Sequence, residues 1–379
     1  MLIAAVPPLV TGWPVAKMPW TGMIMNLCIF GAVAIGPTIG GLQAASGGWR
    51  PLFWGVAGVA VVALVFSLLT FEDQPPQDPS APWDFVALGL AAVGCPLAFY
   101  GASALQAHAS PGPGSLFPLV AGIAMIVALV VHQYRARHPL MPVKQLATAF
   151  PLTGILIAMA ASSAAFGLME LMQTAAQGKG SPAHTALLFL PEFGAAVATA
   201  ALFGLLFRSR FTPVLAISGL AVLTAAAALL TGLATGGGAM VAAGSALIGF
   251  GVGASVSPAL FLAGFSLRAA QIQRVFALIE LLCGVTAFLV APVLLYLATV
   301  IGTSMAAGLR GGIWICLAMA AGGGLTAVAV FTVAGGRLQT PDLQRWGEGE
   351  PAWDSPPLLR RARAAGRDAE PTLLGQTRR

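Results

Sequence analysis

A chain of 379 residues that is 58% hydrophobic and only 8% charged cannot cover a water-facing surface, for which about a quarter charged residues is usual. Its apolar runs reach the roughly 20 residues that an α-helix needs to cross a hydrocarbon layer of about 30 Å, so the sequence is that of an all-α polytopic membrane protein, not a soluble domain or a β-barrel. The net charge of +6 comes from Lys and Arg in short loops and the C-terminal segment, where they orient helices, and it does not point to a nucleic-acid partner.

Hydropathy predicts about ten transmembrane helices, near 22–43, 51–71, 83–105, 114–134, 150–175, 184–207, 212–233, 238–263, 274–300 and 309–333. Residues before 22 are apolar but interrupted by Pro7, Pro8, Pro14 and Pro19, and read as the end of an element rather than a span. Polar connectors follow the second span, at Glu72–Pro79, and the fourth, at Arg135–Lys144. His132 and His138 fall at that end of the fourth span and read as satisfied or solvated imidazoles. After residue 336 the composition shifts to Pro, Arg, Glu and Gly without apolar periodicity, which predicts a disordered tail over 337–379. The four cysteines, Cys28, Cys95, Cys283 and Cys316, lie far apart inside apolar runs with no metal-ligand spacing, so neither a metal nor a cofactor is expected.

Lys and Arg are retained on the cytoplasmic side of a membrane. With ten spans both termini share a side, and placing them in the cytoplasm puts 16 of the 19 basic residues there, leaving Arg50, Lys179 and Arg310 outside. The sequence therefore predicts a multi-pass protein of the inner (plasma) membrane with cytoplasmic termini, whose first partner is the bilayer.

The first span carries Gly22 and Gly31 and then Gly36-Pro37-Thr38-Ile39-Gly40-Gly41. Pro kinks a helix and the flanking glycines let a neighbour approach the kink. The pattern resembles the antiporter motif in the fifth helix of proton-driven exporters of the major facilitator superfamily, Gly-x-x-x-Gly-Pro-x-x-Gly-Gly, with Ala32 at the first Gly. Trp49-Arg50 and the following Pro51-Leu52-Phe53-Trp54 are similar to the entry of that family's sixth helix. Trp83-Asp84, the Arg135–Pro142 connector, Ser181-Pro182 with Pro191, and Arg208-Ser209-Arg210 resemble the inserted helix pair and later helices of its fourteen-span drug:proton antiporter subfamily, with Ala186 where Gly is usual.

The resemblance implies a division into 1–71, the remainder of an N-terminal bundle; 72–149, an inserted helix pair with its connectors; 150–336, a six-helix C-terminal bundle; and the tail 337–379. It implies a chain truncated at its N-terminus, lacking the first helices of the N-bundle. The motif residues Gly22, Gly31, Gly36, Pro37, Gly40 and Gly41 are expected to pack against a neighbouring helix.

Of 13 acidic residues only Glu170, Glu192 and Glu280 fall within spans beyond Asp84, which sits at the very opening of the third, and an ionisable group at bilayer depth marks an ion or substrate path. Glu170 lies on a stripe with Ser163, Gly167, Gln173 and Thr174 that should face the bundle interior. Glu192 shares a face with Ala195, Ala196 and Thr199, and Glu280 with Ala277, Gly284 and Ala287; such small neighbours leave room for water or ligand. Structural alternatives compete: Glu170 snorkelling to the interface, Glu192 bonding backbone loosened by Pro191, Glu280 pairing with Arg268 or Arg274. These residues and Gln173 are the candidates for proton and substrate handling. The reading is a secondary transporter that exports amphipathic or drug-like molecules against protons by alternating access. A transport-incompetent fragment of one is the alternative, and an intramembrane enzyme finds no supporting motif.

Overall fold

The computed structural model describes residues 14–48, 50–70, 83–107, 112–136, 139–141, 143–177, 180–233 and 237–358. Trp49, the 72–79 connector, His138, Lys179 and residues 359–379 lie outside the described residues. Among the described residues, ten helices are long and apolar enough to cross a membrane: α1 (Val15–Ala45), α2 (Arg50–Thr70), α3 (Phe85–Ala107), α4 (Pro113–Arg135), α5 (Ala149–Ala176), α6 (Pro182–Leu206), α7 (Thr212–Leu230), α8 (Gly238–Phe265), α9 (Ile272–Ile301) and α10 (Met305–Val333).

The ten expected spans are present, and their limits move for local reasons. Helix α1 starts at Val15, not at 22, because Pro14 precedes its opening 3₁₀ turn and Pro19 sits in the first turn of the α-helix that begins at Met18. Proline is tolerated there, since first-turn N–H groups have no intrahelical acceptor. Helix α1 also contains a π-helical turn at Leu27–Gly31. Helix α6 is broken at Phe189 into Pro182–Leu188 and Leu190–Leu206, with Ser181 capping the first piece through the His184 amide.

Helices α5 and α8 occupy the centre, with α6, α7, α9 and α10 around them. Helix α1 docks on α6 and touches α8, whereas α2 buries no residue. Helices α3 and α4 pair antiparallel and lean on α9, where Phe99 meets Phe288 edge to face at 6.2 Å. Lys17, Arg135, Lys144, Arg208, Arg210, Arg268 and Arg274 all fall at the end where α1 begins and α4, α6, α8 and α10 finish. We call this the basic end.

Residues 337–358 contradict the expected disorder. A short helix, α11 (Leu343–Gly347), is capped by Asp342 through the Arg345 amide, and Trp346 and Trp353 are 1% and 2% exposed. The composition is polar on average, but the few apolar residues, Leu343, Trp346, Ala352 and Trp353, are the ones that fold inward. Averaged composition hides such sparse anchors.

The α3–α4 pair is tied at the basic end by Asp84. Its carboxylate accepts the Ala87 amide at 2.9 Å, capping α3, and Gln133 Nε2 at 2.9 Å, while His132 Nε2 lies 3.1 Å from both its oxygens. Gln133 also accepts the Met141 amide at 3.1 Å. His132 is thus a satisfied imidazole. The Ala87 hydrogen bond, opposed by partial burial and aided by Gln133 and His132, holds Asp84 below the ordinary carboxylate value of 3.8. A depressed carboxylate stabilises the fold above its unfolded value, and the contribution disappears as pH falls through the folded one. Asp84→Asn keeps an oxygen that can cap α3 but removes the charge, so it should lower stability at pH 7 by the charged part of the tie alone. Melting curves of parent and variant should converge as pH drops below about 4; a gap independent of pH contradicts the ionised tie.

Candidate functional site

The contact between α1 and the C-terminal helices is made by small and polar groups. Asn26 is fully buried; its Nδ2 donates to the Gly253 carbonyl at 3.1 Å and its Oδ1 accepts from Ser257 Oγ at 3.1 Å, both on α8. Farther along α1, Thr38 Oγ1 donates to the Ala186 carbonyl on α6 at 3.1 Å. Gly41 lies against the same residue, and a Cβ added at Gly41 would sit 2.7 Å from Ala186 Cβ. At the basic end a Cβ on Gly22 would sit 2.7 Å from the Phe207 ring. Pro37 removes the donor that would reach the Val33 carbonyl, in the stretch that follows the π turn.

The motif residues therefore divide. Gly22 and Gly41 make close approaches and Gly31 lies near Leu27 and Phe193, but Gly36 and Gly40 have nothing within 4 Å of an added Cβ. The expected packing role fails for those two, because that face of α1 turns away from α6. Gly40 instead lines, with Pro37, Gly41, Gln173, Gln177 and Phe189, a cleft of about 430 Å³ away from the basic end.

A second cleft of about 390 Å³ lies between α3, α5 and α9, lined by Gln106, Phe166, Met169, Glu170, Gln173 and Phe288 among others. Gln173 borders both clefts. The stripe expected on α5 is split. Ser163 and Gly167 are buried, the latter with Leu294 and Cys316 within 3 Å of an added Cβ, because α9 and α10 close over them. Thr174 Oγ1 turns back to the Glu170 carbonyl at 2.9 Å. Only Glu170 and Gln173 of that stripe reach these two clefts.

The other two carboxylates stand apart. Glu192 on α6 is 2% exposed, and its Oε2 has no hydrogen-bond partner among the described residues. The space predicted around it is filled: Ala196 and Thr199 are fully buried, and an added Cβ on Gly249 of α8 would sit 2.4 Å from the Glu192 carbonyl oxygen. Glu280 on α9 is half-buried and lines neither cleft; Gly284, one turn on, does face open space. Asn26 was not visible as a site residue in the sequence. Its one signal is being the lone amide in the apolar run Met23–Phe30. Among the described residues, no group of three or more His, Cys, Asp or Glu is placed to hold a metal ion.

Comparison with known proteins gives this arrangement a context. The family model described as Major Facilitator Superfamily matches residues 21–292. The chain is also 32% identical over 111 residues to proteins described as "Multidrug resistance protein B homolog" from two strains of Mycobacterium tuberculosis, CDC 1551 / Oshkosh and ATCC 25618 / H37Rv. The match takes in 29% of this chain and 20% of each relative.

Gly41→Ala should force α1 off α6, since the obstructing Ala186 Cβ is fixed to the backbone and cannot rotate aside. Overpacking of this kind costs about 1–3 kcal/mol. Gly40→Ala, added into open space within the helix, should leave the thermal midpoint of the detergent-solubilised protein unchanged or raise it. Equal midpoints for the two variants contradict the close approach.

Proposed function

Because this chain belongs to the major facilitator superfamily, a family of transporters and not of enzymes, we propose that it exports amphipathic, drug-like small molecules in exchange for protons, as a member of the fourteen-span drug:proton antiporter subfamily. The name carried by the mycobacterial relatives supports the substrate class. The observation that carries the reading is the placement of Glu170 and Gln173 in a cleft walled by Phe166, Met169 and Phe288 and continued by Gln173 toward the motif cleft. One carboxylate and two amides among aromatic and thioether side chains suit a molecule with a cationic or polar head and an apolar body, and flexible Met adapts to varied shapes.

In this reading the basic end faces the cytoplasm, as the distribution of Lys and Arg favours, and the clefts belong to an outward-open conformation. Proton and substrate compete for the Glu170 carboxylate, so binding of one releases the other. Glu192 acts differently. A buried oxygen without a donor is costly, and rearrangement of α6 against α8 supplies or removes its partner. Glu280, which lines neither cleft, is not coupled.

Reconstituted in proteoliposomes under an imposed pH gradient, the chain should expel a lipophilic cationic dye. Glu170→Gln keeps the shape but cannot titrate, and should cut gradient-driven efflux about tenfold or more while dye binding persists. Glu280→Gln should match the parent. Absence of gradient-driven efflux by the parent overturns the transport proposal, and parental rates for Glu170→Gln overturn the assignment of that residue.

A further inference from the structure

We propose that residues 337–358 form a clasp that holds the basic end of the transporter closed, and that its release is part of opening that end. The segment is built as a unit. Gln339 closes it on itself, its carbonyl accepting from Trp353 Nε1 at 3.2 Å and its side-chain amide exchanging hydrogen bonds with the Asp354 backbone. The Asp342 amide donates to the Ala352 carbonyl at 3.1 Å, and Gly349 turns the chain with φ +97°, a left-handed conformation that glycine adopts without a Cβ clash.

One side of this unit is anchored to the C-terminal helices. The Ala352 amide donates to the Phe265 carbonyl at the end of α8 (2.8 Å), the Ala149 amide at the start of α5 to the Pro356 carbonyl (3.0 Å), and the Phe150 amide to Ser355 Oγ (3.0 Å). Ser355 Oγ in turn donates to Thr148 Oγ1 at 3.0 Å. The other side reaches α1: α11 lies against the opening turn of α1, where an added Cβ on Gly347 would be 3.4 Å from Val15 Cγ2. The α6–α7 loop supports the same turn, Arg208 Nη2 donating to the Val15 carbonyl at 3.0 Å.

Between the two sides runs a line of aromatic rings. Trp346 stands edge to face on Phe265 at 4.6 Å, Phe265 on Phe207 at 5.8 Å, and the Phe207 ring presses on Gly22 of α1. Moving α1 away from α6 and α8 at this end would strip cover from Phe207 and pull Val15 off the clasp. The clasp contacts thus exist in full only while the basic end is shut, and an interaction present in one of two states biases the equilibrium toward that state.

The proposal rests on the alternating-access reading, and its test does not depend on pumping. In the purified full-length chain in detergent, a reporter thiol at Met18→Cys samples the basic end, where Met18 is buried under the clasped end, and one at Ala44→Cys samples the motif cleft. Labelling by a hydrophilic maleimide is counted above that of the same chain without the reporter. Trp346→Ala should raise labelling at the first reporter by about tenfold and lower it at the second, while Trp346→Phe, which keeps a ring on Phe265, should stay near parental rates at both. Unchanged labelling at Met18→Cys, or acceleration at both reporters together as a loosened fold would give, overturns the clasp. A reciprocal shift in a chain that fails to pump removes the proton-efflux reading and leaves the clasp standing; normal pumping with both reporters unmoved does the reverse.

Discussion

Helices inside a bilayer gain nothing by hiding apolar surface from one another, because lipid is as apolar as they are; they adhere through close backbone approach and through hydrogen bonds across the interface. The attachment of α1 to the rest of this molecule obeys that constraint along its whole length. Gly22 meets the Phe207 ring at one end, Asn26 bonds α8 in the interior, and Thr38 and Gly41 meet Ala186 farther on. The motif cleft opens beyond this seam, and residues 337–358 cover its basic end.

The seam is polar enough to be specific without being a string of charges. Asn26 offers donor and acceptor together, and both are used. A hydrogen bond to a backbone carbonyl at Gly253 is possible because small residues there let α1 come close. The same economy leaves the buried Glu192 with one oxygen unmatched among the described residues, on the helix that α1 rests upon. An unpaired buried oxygen costs free energy in the conformation that holds it, so any conformation that offered Glu192 a donor would be favoured by that amount.

Much of this was legible in the sequence, and the rest was not for identifiable reasons. Ten apolar runs separated by turn-rich connectors define the spans, because the bilayer fixes their length. Of the motif at Gly36–Gly41 only Thr38 and Gly41 lie on the seam, whereas Gly36 and Gly40 do not. The start of α1 was hidden by Pro14 and Pro19, which break a helix interior but open one equally well. The stripe on α5 was periodic as expected, but periodicity gives only a helix face; whether that face meets a cleft or another helix depended on where α9 and α10 lie. Trp346 and Trp353 were lost in an average taken over a polar segment, and Asn26 carried no pattern beyond being alone. Spatial partners of a single residue are the information that composition and period do not hold.

The central claim is that the seam rocks, opening at one end as it closes at the other. Double electron–electron resonance on the full chain in lipid nanodiscs measures this directly, with one spin-label pair at Ala16 and Arg210 across the basic end and another at Ala45 and Gln177 across the cleft end, all four exposed. Between pH values that bracket carboxylate titration, the account predicts that the first distance distribution lengthens while the second shortens. Distances that stay fixed, or that lengthen together at both ends, would contradict it.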